Sequence, residues 1–122
     1  MSIEVHKAIV RRFFREALAG GRMETLHEIL DPHCSYVDGG ELRFTSRDDF
    51  VGYVIEAREP FTRTDVVIDD LIGEGDRVAV RCAYNLMAEG GRSTLSVMGF
   101  FQFHEGRIVG IWRNVVTVAG GR

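Results

Sequence analysis

The sequence predicts an α+β fold, with three N-terminal helices covering one face of a curved antiparallel sheet. Two observations carry this reading. Apolar residues recur every three or four positions in the first half of the chain, and the period drops to two from Thr62 onward. The later segments are also joined by short Gly-containing connections, the mark of an antiparallel meander.

The first helix follows from Ile9, Phe13 and Ala17, spaced by four, and from Val10, Phe14 and Leu18 beside them. Lys7, Arg11, Arg12 and Arg15 take the other side. Ser2 can cap its start and Gly20-Gly21 can stop it. A short second helix turns Met23, Leu26, Ile29 and Leu30 inward, and Asp31-Pro32 ends it. Cys34-Ser35-Tyr36-Val37-Asp38 reads as a short strand before a Gly39-Gly40 turn. Ser46 starts a third helix, with Asp48 and Asp49 at its positive end and Phe50, Val51, Val54 and Ile55 on its buried side. Four long strands follow, at about 62–73, 77–88, 93–104 and 107–118.

With 122 residues, 45% hydrophobic and 27% charged, the chain 1–122 is expected to form one domain, with 119–122 as a flexible tail. A net charge of −3 lacks the basic footprint of a nucleic-acid binder. No apolar run approaches the roughly 20 residues that span a bilayer. The N-terminus, interrupted by charge, does not read as a signal peptide. Cys34 and Cys82 are expected to be two buried free thiols in a cytoplasmic protein. His6, His27, His33 and His104 form no metal-ligand pattern, so no metal or other cofactor is expected.

The strands carry a second message. Val78, Val80, Cys82, Tyr84 and Leu86 alternate with Ala79, Arg81, Ala83, Asn85 and Met87. Ile108, Gly110, Trp112, Asn114 and Val116 alternate with Val109, Ile111, Arg113 and Val115. Neither side is truly polar, and three helices cover only one face. A second copy of the chain is therefore expected on the other face, as a two-fold homodimer.

The order helix-helix-strand-helix-meander, with Leu30-Asp31-Pro32-His33-Cys34-Ser35-Tyr36-Val37-Asp38 after the second helix, resembles the nuclear transport factor 2-like superfamily over nearly the whole chain. That resemblance implies a cone-shaped, cystatin-like fold whose bent sheet wraps a pocket closed by the helices. Ketosteroid isomerase, scytalone dehydratase, the SnoaL-like polyketide cyclases and limonene-1,2-epoxide hydrolase share it. Val97-Met98-Gly99-Phe100, the turn Glu105-Gly106-Arg107-Ile108, and Trp112-Arg113-Asn114 look like the end of the limonene-epoxide-hydrolase family.

The site residues carry over in part. The hydrolase family's water-holding Tyr and Asn correspond to Tyr36 and Asp38, and its meander Arg to Arg81. Its two meander carboxylates correspond to Ala83 and Asn114, so the resemblance favours isomerisation, cyclisation or dehydration over epoxide hydrolysis. In the resemblance to ketosteroid isomerase, Asp38 takes the place of the general base on the early strand. That enzyme's oxyanion Tyr and protonated Asp correspond to Phe13 and Gly99, which cannot replace them.

Asp38 and Arg81 are therefore the expected catalytic residues, and Tyr36, Asn114 and Trp112 the expected substrate contacts. Burial would raise the Asp38 pKa and make it a better base near neutrality. Its position before Gly39-Gly40 also suits a simple turn residue. Arg81 can bind a substrate oxygen or form a structural ion pair with Asp38 or another carboxylate. Asn114 can donate to a carbonyl or epoxide oxygen or serve as a satisfied core amide. Trp112 suits a pocket wall better than chemistry. The expected function is a cofactor-free enzyme acting on a small apolar carbonyl, enol or epoxide compound. The alternatives are a non-catalytic small-ligand-binding protein of the same fold and a structural dimer with a collapsed cavity.

Overall fold

In the computed structural model, which describes residues 2–118, serine caps open the two long helices as their positions predict. Ser2 Oγ accepts from the Val5 amide at 3.2 Å, and Ser46 Oγ from the Asp49 amide at 3.1 Å. The expected tail at 119–122 lies outside the described residues. Helix α1 spans Ile3–Arg12 and widens into a π-helical stretch at Phe13–Ala19. A π-turn holds more residues than an α-turn, so neighbouring side chains diverge less. Consecutive Phe13 and Phe14 both face inward as a result. Gly21, at φ +75°, then turns the chain out of the helix.

Helix α2 spans Met23–Ile29 and α3 spans Arg47–Arg58. The Arg47 guanidinium donates to the carbonyls of His27 and Leu30, at 3.1 and 3.3 Å, and so ties the start of α3 to the end of α2. The strands are β1 (Leu30–Asp38), β2 (Glu41–Phe44), β3 (Arg63–Glu74), β4 (Arg77–Ala88), β5 (Gly91–His104) and β6 (Arg107–Thr117). They form one sheet in the order β2-β1-β6-β5-β4-β3.

Two features of the sheet correct the sequence reading. β1 lies parallel to β6, so the sheet is mostly rather than wholly antiparallel. A long crossover through α3 and the meander makes that pairing possible. The inward phase of β6 also reverses partway along. Gln102 pairs with Gly110 but Phe103 pairs with Ile108, which leaves Val109 as an extra residue. Ile108 faces the core before this bulge, and Ile111, Arg113 and Val115 face it afterwards. A one-residue slip exchanges every side chain between the faces. Trp112 and Asn114 therefore point away from the helices, and the Trp112 ring lies over Gly110, where a Cβ would meet it.

The core lies between the helices and the inner face of the sheet. Val78, Val80, Cys82 and Tyr84 of β4 and Val97, Phe101 and Phe103 of β5 pack against Val10, Phe14, Leu26 and Val54. Cys34 and Cys82 are free and buried. Burial raises both thiols to about 12. They are structural rather than nucleophilic groups at neutral pH.

His6 is also in this core, 5% exposed and stacked on Phe103 with ring centroids 4.1 Å apart. Its Nδ1 has no hydrogen-bond partner among the described residues. Burial lowers its pKa below the ordinary 6.5, so the unfolded chain takes up the proton first. Stability is expected to fall as pH drops below 6.5. A melting-temperature series between about pH 7.5 and 5.5 should show this fall, and His6→Phe should flatten it. An equally steep fall in that variant would place the titrating group elsewhere.

Candidate active site

A cavity of about 350 Å³ opens between the helices and the inner sheet face. Phe13, Phe14, Phe50, Phe101 and Val80 form its greasy end. Arg113, Tyr36, Tyr53 and Tyr84 bring polar atoms into its wall. Thr64 and Ser93, which flank Leu86 in register, and the exposed Thr117, opposite Leu95, line its solvent end, and Arg58 is also in the lining. Cavities of this size hold small ligands. At about 30 Å³ per water, it has room for about a dozen non-hydrogen atoms.

Asp38 and Arg113 sit opposite each other in the parallel register of β1 and β6. Arg113 Nη2 donates to Asp38 Oδ2 at 2.9 Å and to Tyr53 Oη at 3.0 Å. Tyr36 Oη donates to the same Asp38 oxygen at 3.0 Å. The guanidinium carbon lies 5.7 Å from the Tyr36 ring centroid and 6.0 Å from that of Tyr84, within cation–π range. Arg113 Nε is buried with no partner among the described residues.

The electrostatics follow from these contacts. Burial alone would raise the Asp38 carboxyl. The hydrogen bond and charge of Arg113, with help from Tyr36 and the Arg43 charge, outweigh it and hold Asp38 below its usual range. The expected upward shift is thus corrected: the adjacent cation outweighs the burial of Asp38. Burial raises the Tyr36 and Tyr84 hydroxyls, so both stay protonated at neutral pH. Burial disfavours the charge on Arg113. The surrounding Tyr84 and Tyr36 and the Asp38 carboxylate more than offset this, so it remains a cation.

The structure brings Tyr36 and Asp38 together at this site, Tyr36 in the cavity lining and Asp38 behind it, and turns the side chains of Arg81, Asn114 and Trp112 to the outer face, although Trp112 still contributes to the lining. Arg81 is on the outward side of β4 and pairs with Asp70 at 2.7 Å. It is the structural ion pair that its surroundings allowed, with a carboxylate other than Asp38. Asn114 and Trp112 are turned outward by the Val109 bulge. Phe13 and Gly99 line the cavity and, as their side chains require, donate nothing.

Arg113, Tyr53 and Tyr84 are polar residues of this wall that sequence reading missed. An arginine between Ile111 and Val115 on one side of a strand is a signal of buried charge. Tyr53, three residues after Phe50 and next to Val54, belongs to the buried stripe of α3. No group of three His, Cys, Asp or Glu side chains is arranged to hold a metal among the described residues.

The SnoaL-like domain family matches residues 10–111. An uncharacterised protein of Schizosaccharomyces pombe is 30% identical over 101 residues, covering 81% of this chain and 75% of the yeast protein. Among solved structures, IdmH of Streptomyces antibioticus, a candidate polyketide cyclase, superimposes with a TM-score of 0.78 at 20% identity, covering 89% of this chain and 90% of IdmH. An LEH-like epoxide hydrolase of M. tuberculosis gives 0.76 at 19% identity, with 89% and 80% coverage. A protein of ketosteroid isomerase-like fold from Catenulispora acidiphila gives 0.74 at 18% identity, with 86% and 82% coverage. At these identities the solved structures share the nuclear transport factor 2-like fold with this chain. Together with the family match across most of its length, this makes the chain a member of the SnoaL-like domain family.

Proposed function

We propose that the cavity carries out cofactor-free acid/base chemistry, an isomerisation, cyclisation or dehydration, on a small apolar compound with a carbonyl or enol oxygen. The observation behind this reading is an aromatic cavity lined by Arg113, Tyr36 and Tyr53, with Asp38 behind that wall as the partner of Arg113 and Tyr36. Tyr53 accepts from Arg113, so its own proton is free for a ligand oxygen, and the cation strengthens that donation. Tyr36 connects the cavity to Asp38. A proton leaves the ligand carbon for Tyr36 Oη as the Tyr36 proton passes to Asp38. The reverse transfer to another position of the same ligand completes an isomerisation with nothing consumed.

The experiment is exchange of the α-protons of β-tetralone, a bicyclic ketone, followed by NMR in deuterated water. The wild-type chain is expected to exceed the buffer rate, and Tyr36→Phe and Asp38→Asn to lose about a hundredfold. A wild-type rate equal to buffer, or variants as fast as wild type, would remove this mechanism.

A second reading is supported by the low pKa of Asp38, which makes it a weak base. The chain would then hold its ligand without transforming it, and saturable binding of the ketone with no exchange would be the result.

The proposed partner is a second copy on the outer sheet face. There, register places Ile72, Ala79, Phe100 and Trp112 in one row across four strands, with Ile72 66% and Phe100 52% exposed. Sedimentation is expected to give a dimer at micromolar concentration and a monomer for Phe100→Glu. A wild-type monomer would defeat the dimer. The free buried thiols support a cytoplasmic location. No helix among the described residues is long and apolar enough to cross a membrane.

A further inference from the structure

Among the described residues, two cationic side chains line the cavity, Arg113 and Arg58. Arg113 is matched by Asp38 at 2.9 Å. Arg58 has no carboxylate within ion-pair distance among the described residues. Its Nε donates to the Leu18 carbonyl at 2.9 Å and its Nη2 to the Ala19 carbonyl at 3.3 Å. These carbonyls end the π-helical stretch, and the guanidinium lies directly on Gly21, where a Cβ would come 2.6 Å from Nη1. Arg58 is therefore a fixed fork rather than a free surface side chain. Its ordering is already complete before a ligand arrives.

The two arginines also lie apart along the cavity. Arg58 is five residues beyond Tyr53 on α3, about 7.5 Å of helix rise. Thr117, which also lines the cavity, is four residues beyond Arg113 on β6, about 13 Å of strand. Between them the walls are aromatic and aliphatic. One end thus offers Tyr53 and a charge-balanced arginine, suited to a neutral oxygen. The rest of the lining offers Arg58, an unmatched cation, and the hydroxyls of Thr64, Ser93 and Thr117.

We propose that the ligand is an apolar carboxylic acid, its carboxylate held by Arg58 and its carbonyl or hydroxyl oxygen directed to Tyr53. This rests on the small-molecule reading of the cavity and adds the ligand's charge and polarity to it. A single unmatched guanidinium suits one negative charge, hence a carboxylate rather than a phosphate ester. A carboxylate at the Asp38 end would instead leave an uncompensated anion among aromatic walls.

The test compares 4-hydroxycinnamic acid with its methyl ester by quenching of the protein fluorescence at neutral pH. The two share one body and differ in charge. The wild-type chain is expected to bind the acid about tenfold more tightly than the ester. Arg58→Gln, which keeps a donor for the helix carbonyls, should remove that preference, so that acid and ester bind the variant equally. Arg58→Lys should retain part of it, with a lower melting temperature because an ammonium cannot reproduce the fork on the two carbonyls. An acid that binds no better than the ester on the wild-type chain, or a preference that survives in Arg58→Gln, would overturn the proposal. The wild-type comparison decides even where a variant fails to fold. Failure of both probes to bind would remove the cavity reading as well. β-Tetralone exchange without an acid preference would leave that reading intact and reject only the role of Arg58.

Discussion

Replacing Arg113 with methionine is expected to cost about 3 kcal/mol of stability, or roughly 10 °C in melting temperature. The variant keeps an unbranched apolar stem but leaves Asp38 without its cation. Only 19% of the Arg113 side chain and 23% of the Asp38 side chain are exposed, so water replaces the lost partner poorly. The figure sits at the lower end for a broken buried pair because some exposure remains. A pH series separates this cause from lost packing. Asp38 has a folded pKa below the ordinary 3.8, so its pairing contributes stability above that value. The contribution is lost as pH falls through the folded pKa. Removing Arg113 releases Asp38 from this depression, so the variant should lose less stability than wild type in acid. An unchanged melting temperature, or the same acid dependence, would mean that the pair contributes little. Tyr53 would also lose its charged donor, so ketone binding should weaken along with stability.

Phe14→Ala is expected to cost about 4 kcal/mol. Phe14 is 2% exposed, and its ring contacts Phe13, Phe101 and Tyr84 at centroid distances of 5.0, 5.7 and 6.2 Å. It belongs at once to the core and to the cavity wall. Truncation would therefore enlarge an existing cavity rather than open an isolated void. Chemical denaturation measures the cost. Binding of a three-ring ketone that the wild-type chain excludes measures the enlargement. A loss under about 1 kcal/mol would mean that the helices collapse into the space.

What could be read from the sequence was mostly local. Ser2 and Ser46 act within one turn of backbone, so their caps and helices were visible. The four long strands showed their alternation and their Gly turns, and α-then-β order gave the fold class. Asp38 and Tyr36 fell at the site because they lie on one short strand before a turn.

The missed features depend on distant pairing or on a single inserted residue. Nothing near Leu30–Asp38 announces that this strand runs parallel to β6, yet that pairing sets Asp38 beside Arg113. Val109 carries no sequence mark of a bulge, being an ordinary strand residue. Its insertion moves Asn114 and Trp112 outside and Arg113 inside. Arg81 was misplaced for a different reason: a mid-strand arginine between small residues looks the same whether it faces a pocket or an acidic neighbour such as Asp70 on the next strand.

The most direct measurement is a crystal structure of the chain with β-tetralone bound. The ketone oxygen is expected within hydrogen-bond distance of Tyr53 Oη, with the rings among Phe13, Phe50 and Phe101 and an α-carbon facing Tyr36. A ketone bound only at the solvent end or on the outer sheet face, with Tyr53 untouched, would contradict the proposed chemistry.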